Sequence, residues 1–221
     1  MANIEQFYNK HAGQTALLIG NGPNLELTPP EWFDYPCFGM NTIFKREGGR
    51  VPDYYVAVDE VFFDQFENEV RDAFTDVPKF FPAEFIGRWN VPNMFPVTHR
   101  NDGETVRGTM LANRKESLVK GINWKNVMHL SMQLAWYMGF KTILMIGVQQ
   151  KPGVGSLREH FWGLDEMTPV SQNDAHWNLG YRALVSAMTD VRVLNISEDT
   201  YVPEDTLPRG NWHDWATKEL A

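Results

Sequence analysis

The chain has 221 residues, of which 43% are hydrophobic and 22% are charged, and its formal net charge is −8 at pH 7. These values are typical of a globular protein with one α/β domain, and the negative charge disfavours a basic surface that wraps nucleic acid while leaving a local basic groove open. The single cysteine, Cys37, excludes an internal disulfide. No apolar run reaches the roughly 18 residues of a membrane span, and the first residues do not resemble a signal peptide, so we expect a cytoplasmic protein.

Apolar runs and helical patterns alternate along the first part of the chain. The predicted elements are a short amphipathic helix at 3–11, strands at 15–20, 36–40, 53–58 and 77–81, and a helix at 60–74. Thr28, which precedes two prolines, is typical of a helix start and is predicted to cap one there.

Residues 82–125 lack this periodicity, because prolines alternate with arginines and aromatic residues. A long connection without regular pattern is usually functional. We therefore predict a lid-like insertion on the substrate side, in which Arg88, Arg100 and Arg107 bind anionic groups of a donor or acceptor. An irregular part of the scaffold is the alternative.

Regular patterns return in the last part of the chain. They predict a helix from 126 to a terminating Gly139, a strand at 142–148, a helix at 178–189, a strand at 191–196, and an acidic tail at 198–221 that packs over the domain or on a second subunit. Strands that alternate with helices predict one α/β domain over residues 1–221. Its fold is expected to be Rossmann-like, with a mostly parallel sheet and helices on both faces.

Polar residues and glycines follow the predicted strands. They are Gly20, Asn21, Gly22, Asn41, Asp59, Gln149 and Gln150. Because ligands of such sheets bind beyond the carboxyl ends of the strands, these residues predict a nucleotide site. Amide side chains donate and accept hydrogen bonds without carrying a charge, so they suit the recognition of a base or a sugar. The alternative is that the glycines form an ordinary turn and that the polar residues are turn and cap residues.

Two histidines are candidates for proton transfer. His176 comes just before the predicted 178–189 helix, and His160 lies in a loop rich in glycine and charge after the 142–148 strand. A structural role is the alternative for each. The sequence has no Cys or His spacing typical of a metal site, and no HExxH or GxSxG motif, so no metal ligands are predicted.

Several segments resemble a known family. They are the Leu18-Ile-Gly-Asn-Gly-Pro-Asn-Leu25 loop, Gly39-Met-Asn-Thr-Ile-Phe44, the Tyr54–Phe63 segment with Asp59, Tyr137-Met-Gly-Phe140 with the strand that follows, and Asn173-Asp-Ala-His176 before Gly180–Leu184. Together they resemble the bacterial sialyltransferases that use a CMP-sugar donor, and equally the relatives of the archaeal hydroxymethylpterin pyrophosphokinase. The resemblance covers both ends of the domain but not residues 82–125.

The resemblance implies roles for individual residues. The Gly20–Leu25 loop, with Pro23 and Asn24, and also Asn41 would contact the nucleotide, with Asp59 beside it. His176 would be the general base. The sequence departs from the family in two places: Gly147-Val-Gln149 replaces Gly-Ile-Asp, and Val127-Met128 replaces a Ser-Gly. Both departures bear on the identity of the donor, and they weaken a metal-dependent pyrophosphokinase more than a metal-free transferase.

The leading hypothesis is a glycosyltransferase that needs no cofactor and moves a sugar from a nucleotide-sugar donor to an acceptor hydroxyl. One alternative is a pyrophosphokinase that acts on ATP and a pterin-like alcohol and requires Mg²⁺. Another is a nucleotide-binding module without catalysis. The acceptor and any homo-oligomer stay open, and a nucleic-acid partner is disfavoured by the charge.

Overall fold

The computed structural model of the protein describes residues 4–85, 91–98, 124, 126–150, 157–169 and 174–217. Its strands are β1 Thr15–Ile19, β2 Cys37–Met40, β3 Tyr54–Val56, β4 Lys79–Pro82, β5 Met94–Val97, β6 Thr142–Ile146, β7 Leu157–His160, β8 Gly163–Pro169 and β9 Arg192–Asn195. Seven of them form one sheet in the order β5-β4-β3-β2-β1-β6-β9, and every neighbouring pair is parallel. β7 and β8 form a separate antiparallel hairpin. The predicted Rossmann-like α/β fold is confirmed.

β1 lies inside the sheet between β2 and β6, which explains why its sequence is almost entirely apolar. Successive side chains of a strand point to opposite faces. Ala16 and Leu18 belong to the core on one face, Leu17 and Ile19 to the core on the other, and all four are at most 1% exposed. A strand that is covered on both sides has no position for a polar side chain.

Helices cover both faces of the sheet, as predicted. They are α1 Glu60–Ala73, α2 Val127–Tyr137 and α3 Asp174–Ala187. Phe63 and Val70 of α1 join the core on one face, whereas Leu134 of α2 and Leu184 of α3 join the core on the other. Within the described ranges, no helix is both long and apolar enough to cross a membrane.

The ends of α2 follow from its sequence. The side chain of Asn126 accepts a hydrogen bond from the backbone N–H of His129 at 2.9 Å, which caps the first turn. Gly139 follows the helix with a φ of +90°, a left-handed conformation that favours glycine. The predicted termination at Gly139 is confirmed.

The structure differs from the predicted elements near the amino terminus and in the middle of the chain. The first helix is a short 3-10 helix, Ile4–Phe7. Thr28 does not cap a helix: a 3-10 helix spans Pro30–Trp32, and the buried Thr28 hydroxyl instead accepts the N–H of Glu198 at 3.4 Å. β5 was not predicted. It lies within the proposed insertion, and it contains Pro96, which an edge strand tolerates.

Two further differences concern the histidines. α3 begins at Asp174, four residues before its predicted start, so His176 is part of the helix and not of a preceding loop. The segment around His160 is not an irregular loop but the β7–β8 hairpin. Polar residues in the first turn of α3 made it look like a loop in the sequence.

The tail packs against the domain. The indole of Trp212 is 7% exposed and stacks on Trp32 with 4.5 Å between ring centroids. The Tyr35 hydroxyl donates to the carbonyl of Trp215 at 3.1 Å. These contacts join the tail to the segment between β1 and β2.

Candidate functional site

The carboxyl ends of the parallel strands bring most of the predicted site residues to one edge of the sheet, called the carboxyl edge below. Gly20 to Gly22 follow β1, Asn41 follows β2, and Asp59 comes shortly after β3. Gln149 comes shortly after β6, next to the β1 loop. Asp59 also begins α1, since its carbonyl accepts the Phe63 N–H at 3.1 Å.

The glycines of the β1 loop are required by contacts within the protein. Gly20 N–H donates to the Ile146 carbonyl at 2.9 Å, and Gly22 N–H donates to the Gly147 carbonyl at 2.8 Å. A Cβ on Gly20 would lie 2.5 Å from the Gly147 oxygen, and a Cβ on Gly22 would lie 2.7 Å from the same atom. The close approach is therefore to the β6 loop. The crevice between β1 and β6 is filled by the backbone at this level.

Pro23 and Asn24 also serve the packing of this loop. They open a 3-10 helix, Pro23–Glu26. The Asn24 side chain is 1% exposed, and its amide nitrogen donates to the Glu198 carbonyl at 2.6 Å. This side chain links the β1 loop to the segment after β9 and lies inside the domain.

Several amide atoms at the carboxyl edge are buried and have no hydrogen-bond partner among the described residues. They include Asn21 Oδ1, Asn41 Oδ1, Gln149 Oε1 and Gln150 Nε2, and Asn24 Oδ1 in the β1 loop is unpaired as well. Leaving a buried polar atom unpaired costs about 1–3 kcal/mol. Asn41 and Gln150 also have φ values of 41° and 52°, in the left-handed region, as does Asn93 at the other edge of the sheet with 55°. The unpaired buried polar atoms are therefore the feature of this edge that is typical of a ligand site.

The orientation of Gln149 is fixed by a neighbour. Its side chain is 4% exposed, and Nε2 donates to the Asp199 carboxylate at 2.9 Å. An ionised carboxylate only accepts hydrogen bonds, so the amide oxygen must face the other way. The same contact explains why this position carries an amide: a carboxylate at 149 would face the Asp199 carboxylate.

The tip of the β7–β8 hairpin docks on this edge. Phe161 N–H donates to the Asn21 carbonyl at 3.0 Å, and His160 Nδ1 lies 3.3 Å from the same oxygen. The Trp162 indole N–H donates to the Thr42 hydroxyl at 2.8 Å. The His160 ring stacks on Trp162 with 5.3 Å between centroids. The hairpin thus brings a histidine to the ends of β1 and β2.

Lys45 lies beside the docked tip. Its Nζ is 3.7 Å from the centroid of the Trp162 ring and 4.7 Å from that of Phe66 in α1. Sequence analysis missed Thr42, Lys45 and Trp162. Only the tertiary docking of the hairpin joins these residues, and no spacing in the sequence indicates it.

Other candidates are not brought into this set of contacts. The backbone of His176 is the third residue of α3, and its side chain lies outside the described part of the structure. Arg88, Arg100 and Arg107 lie outside the described residues. The roles assigned to these four residues stay predictions.

The described residues contain no group of three or more His, Cys, Asp or Glu side chains arranged to hold a metal ion. Cys37 is fully buried at the start of β2, at the opposite edge of the sheet. Burial raises the pKa of its thiol to about 12, so it is protonated at neutral pH and is not a nucleophile.

No protein-family model and no curated protein matches the chain. Among solved structures, the chain is similar to the MAf glycosyltransferase from Magnetospirillum magneticum AMB-1, with a TM-score of 0.48 and 9% sequence identity. The similarity covers 90% of this chain and 36% of that structure, so the chain spans about a third of its length. No functional argument rests on a likeness this distant, and the fold class follows from the sheet topology itself.

Proposed function

We propose that the carboxyl edge binds a nucleotide-sugar donor and that the protein is a glycosyltransferase that moves the sugar to an acceptor hydroxyl. The observation that carries this proposal is the set of buried, unpaired amide atoms of Asn21, Asn41, Gln149 and Gln150 at the ends of β1, β2 and β6. Three of these atoms are acceptors and one is a donor. They match the neutral hydroxyl and N–H groups of a sugar, a ribose or a base.

The position of the donor follows from the β1 loop. Because its backbone pairs with the β6 loop through Gly22 and Gly147, the ligand is proposed to lie over the ends of β1 and β2 rather than in the crevice between β1 and β6. Asn21 and Asn41 border that region, and the hairpin tip covers it. By the resemblance described above, the first donor to test is a CMP-sugar.

A histidine is proposed as the general base, and His160 has the stronger geometric support. If Nδ1–H donates to the Asn21 carbonyl 3.3 Å away, Nε2 is the basic nitrogen of the neutral ring. His176 has the support of the family resemblance. Its backbone lies in the first turn of α3, which starts near the carboxyl edge because the helix runs back to reach the start of β9.

The reaction is a substitution at the anomeric carbon of the sugar. The bond from this carbon to the donor phosphate oxygen breaks, the bond to the acceptor oxygen forms, and the proton of the acceptor hydroxyl passes to the histidine. The released nucleotide keeps the electrons of the broken bond. General base catalysis contributes roughly 10²–10⁴-fold to such a reaction.

The test is calorimetry of the purified protein with CMP, UDP, GDP and ATP, each with and without Mg²⁺, followed by nucleotide release from the corresponding sugar donors. We expect the protein to bind CMP or a nucleoside diphosphate without metal. We also expect it to release free nucleotide from the corresponding sugar donor. Binding of ATP that depends on Mg²⁺ would replace this proposal with the pyrophosphokinase, which no observation among the described residues favours at present. Tight binding without release from any donor would indicate a module without catalysis.

A further inference from the structure

We propose that Lys45 recognises the phosphate of the bound ligand. This inference rests on the proposed function, because it assigns the anionic part of the nucleotide donor to a side chain of the same edge. It rests on three observations: the way the ammonium is held, the absence of an ion pair within the described residues, and the neutral chemistry of the neighbouring groups.

The ammonium of Lys45 is held by two aromatic rings from different elements. Its Nζ lies 3.7 Å from the centroid of Trp162 at the hairpin tip and 4.7 Å from that of Phe66 in α1. Trp162 is itself fixed, since its indole N–H donates to Thr42 at 2.8 Å. Lysine side chains are normally mobile, and contact with two ring faces restricts this one to a single direction.

The charge of Lys45 is not neutralised by a carboxylate of the described residues. Several other basic residues of the described part of the chain are ion-paired, among them the adjacent Arg46 with Glu31, Lys141 with Asp190, and Arg182 with Asp205. A ring face attracts a cation without cancelling its charge. Lys45 therefore keeps a positive charge at the carboxyl edge of a protein whose net charge is −8.

The other polar groups at this edge select a ligand that is part neutral and part anionic. The unpaired oxygens of Asn21 and Asn41 accept hydrogen bonds, so they suit hydroxyl or N–H groups and repel a phosphate. A phosphate needs a cation, and lysine provides a point charge for it. Because Lys45 follows Asn41 and Thr42 in the same 3-10 helix, Asn41–Lys45, both kinds of contact are available to one ligand. In the transfer reaction, Lys45 would also stabilise the charge that the departing phosphate gains.

The test uses Lys45→Met, which keeps most of the side-chain length without charge, and Lys45→Arg, which keeps the charge. Affinities for CMP and UDP, for the nucleosides cytidine and uridine, and for inorganic pyrophosphate are measured by calorimetry. We expect Lys45→Met to lose at least about 10-fold in affinity for the nucleotides and pyrophosphate and to bind the nucleosides as the wild type does. Lys45→Arg should stay within a few-fold, and the salt dependence of nucleotide binding should weaken only in Lys45→Met.

Lys10 provides a matched control. Its Nζ lies 5.3 Å from the centroid of Phe7 and 5.4 Å from that of Tyr54, at the opposite edge of the sheet. Lys10→Met removes another lysine whose ammonium lies over two aromatic rings, and it should leave every affinity unchanged. Melting temperatures of all variants show whether the hairpin stays docked.

The outcomes separate this inference from the proposed function. Equal nucleotide affinity in Lys45→Met and wild type would overturn the role of Lys45 and leave the donor site standing. If the protein binds pyrophosphate through Lys45 but binds no nucleotide, the phosphate-binding role of Lys45 is supported and the proposed nucleotide-sugar donor is overturned. A wild-type protein that binds neither would overturn both.

Discussion

Polar side chains occur at both edges of the central sheet, but their hydrogen bonding differs. At the amino edge, the buried Lys79 ammonium donates to the carbonyls of Phe74, Val77 and Pro92. His11 Nε2 lies 2.6 Å from the Tyr54 hydroxyl and Nδ1 lies 3.0 Å from the Gln14 amide oxygen. These groups hold the loops together.

At the carboxyl edge, the amides of Asn21, Asn41, Gln149 and Gln150 each leave a buried atom without a partner in the described residues. Unpaired buried amides at the carboxyl edge support the ligand site proposed there.

The largest expected effect is on turnover, and it distinguishes a histidine of the carboxyl edge from one of the amino edge. His160→Ala should lower turnover by at least ~100-fold, far more than the loss of its contacts with Asn21 and Trp162 lowers donor affinity, because it removes the proposed general base. His11→Gln, at the amino edge, should leave turnover within a few-fold. The measurement is nucleotide release from the donor under saturating conditions.

His176→Ala distinguishes the two candidates for the base. If His160→Ala retains turnover and His176→Ala loses it, the base is the residue indicated by the family resemblance and His160 only docks the hairpin. In either case the variant that loses turnover should also lose the acidic limb of the pH–rate profile.

The next effect concerns the β1 loop. Gly22→Ala should lower the free energy of unfolding by about 2 kcal/mol, because its Cβ would lie 2.7 Å from the Gly147 oxygen, a backbone atom that cannot move alone. Urea denaturation measures the change. Nucleotide affinity should fall with it, since the β1 and β6 loops shift together. A normal unfolding free energy with lost affinity would instead mean that Gly22 is reserved for the ligand.

This loop shows what the sequence does and does not predict. The apolar run before Gly20 predicted a strand, which is present. The two glycines predicted a nucleotide-binding loop or an ordinary turn, and in the structure they allow a close backbone contact inside the protein. The partner in that contact is the β6 loop, more than 120 residues away in the chain. The glycines of one segment indicate that other atoms pack closely against its backbone, but they do not identify which part of the protein or which ligand supplies those atoms.

The same limit explains the other differences. β1, β2 and β6 were predicted because buried strands require continuous apolar runs. β5 was missed because it is a four-residue edge strand that contains Pro96. Lys45 and Trp162 were missed because more than 110 residues separate them and only the docked hairpin brings them together.

A smaller effect tests whether the amino edge is purely structural. Burial lowers the pKa of Lys79 from its ordinary 10.5 to about 8. Between these two pH values the unfolded chain holds a proton on Lys79 that the folded protein lacks, so the free energy of unfolding rises with pH in this window. Below about pH 8 Lys79 is protonated in both states and does not contribute to the pH dependence of the free energy of unfolding. The free energy of unfolding of the wild type, relative to that of Lys79→Met, should rise by at most about 1.4 kcal/mol per pH unit from pH 8 to 10.

Urea denaturation of both proteins at pH 7, 8, 9 and 10 gives this difference. A difference that stays flat over the series would show that the carbonyls of Phe74, Val77 and Pro92 keep the ammonium charged throughout. Nucleotide affinity measured at pH 7 should be the same for both, since Lys79 lies at the amino edge.

The smallest expected effect compares two asparagines with left-handed backbones, one at each edge. Asn41 has a φ of 41° and a buried oxygen without a partner in the described residues, whereas Asn93 has a φ of 55° and donates to the Thr75 carbonyl at 3.1 Å. Asn41→Gly relieves the strain and removes the unpaired atom, so it should raise the free energy of unfolding by about 1 kcal/mol. Asn93→Gly relieves similar strain but loses a satisfied hydrogen bond, and it should be neutral or slightly destabilising. Asn41→Gly should also weaken nucleotide binding, which Asn93→Gly should not. If Asn41→Gly proved destabilising with unchanged binding, the unpaired amide would have a structural role, and the contrast between the two edges would fail at the residue where it is sharpest.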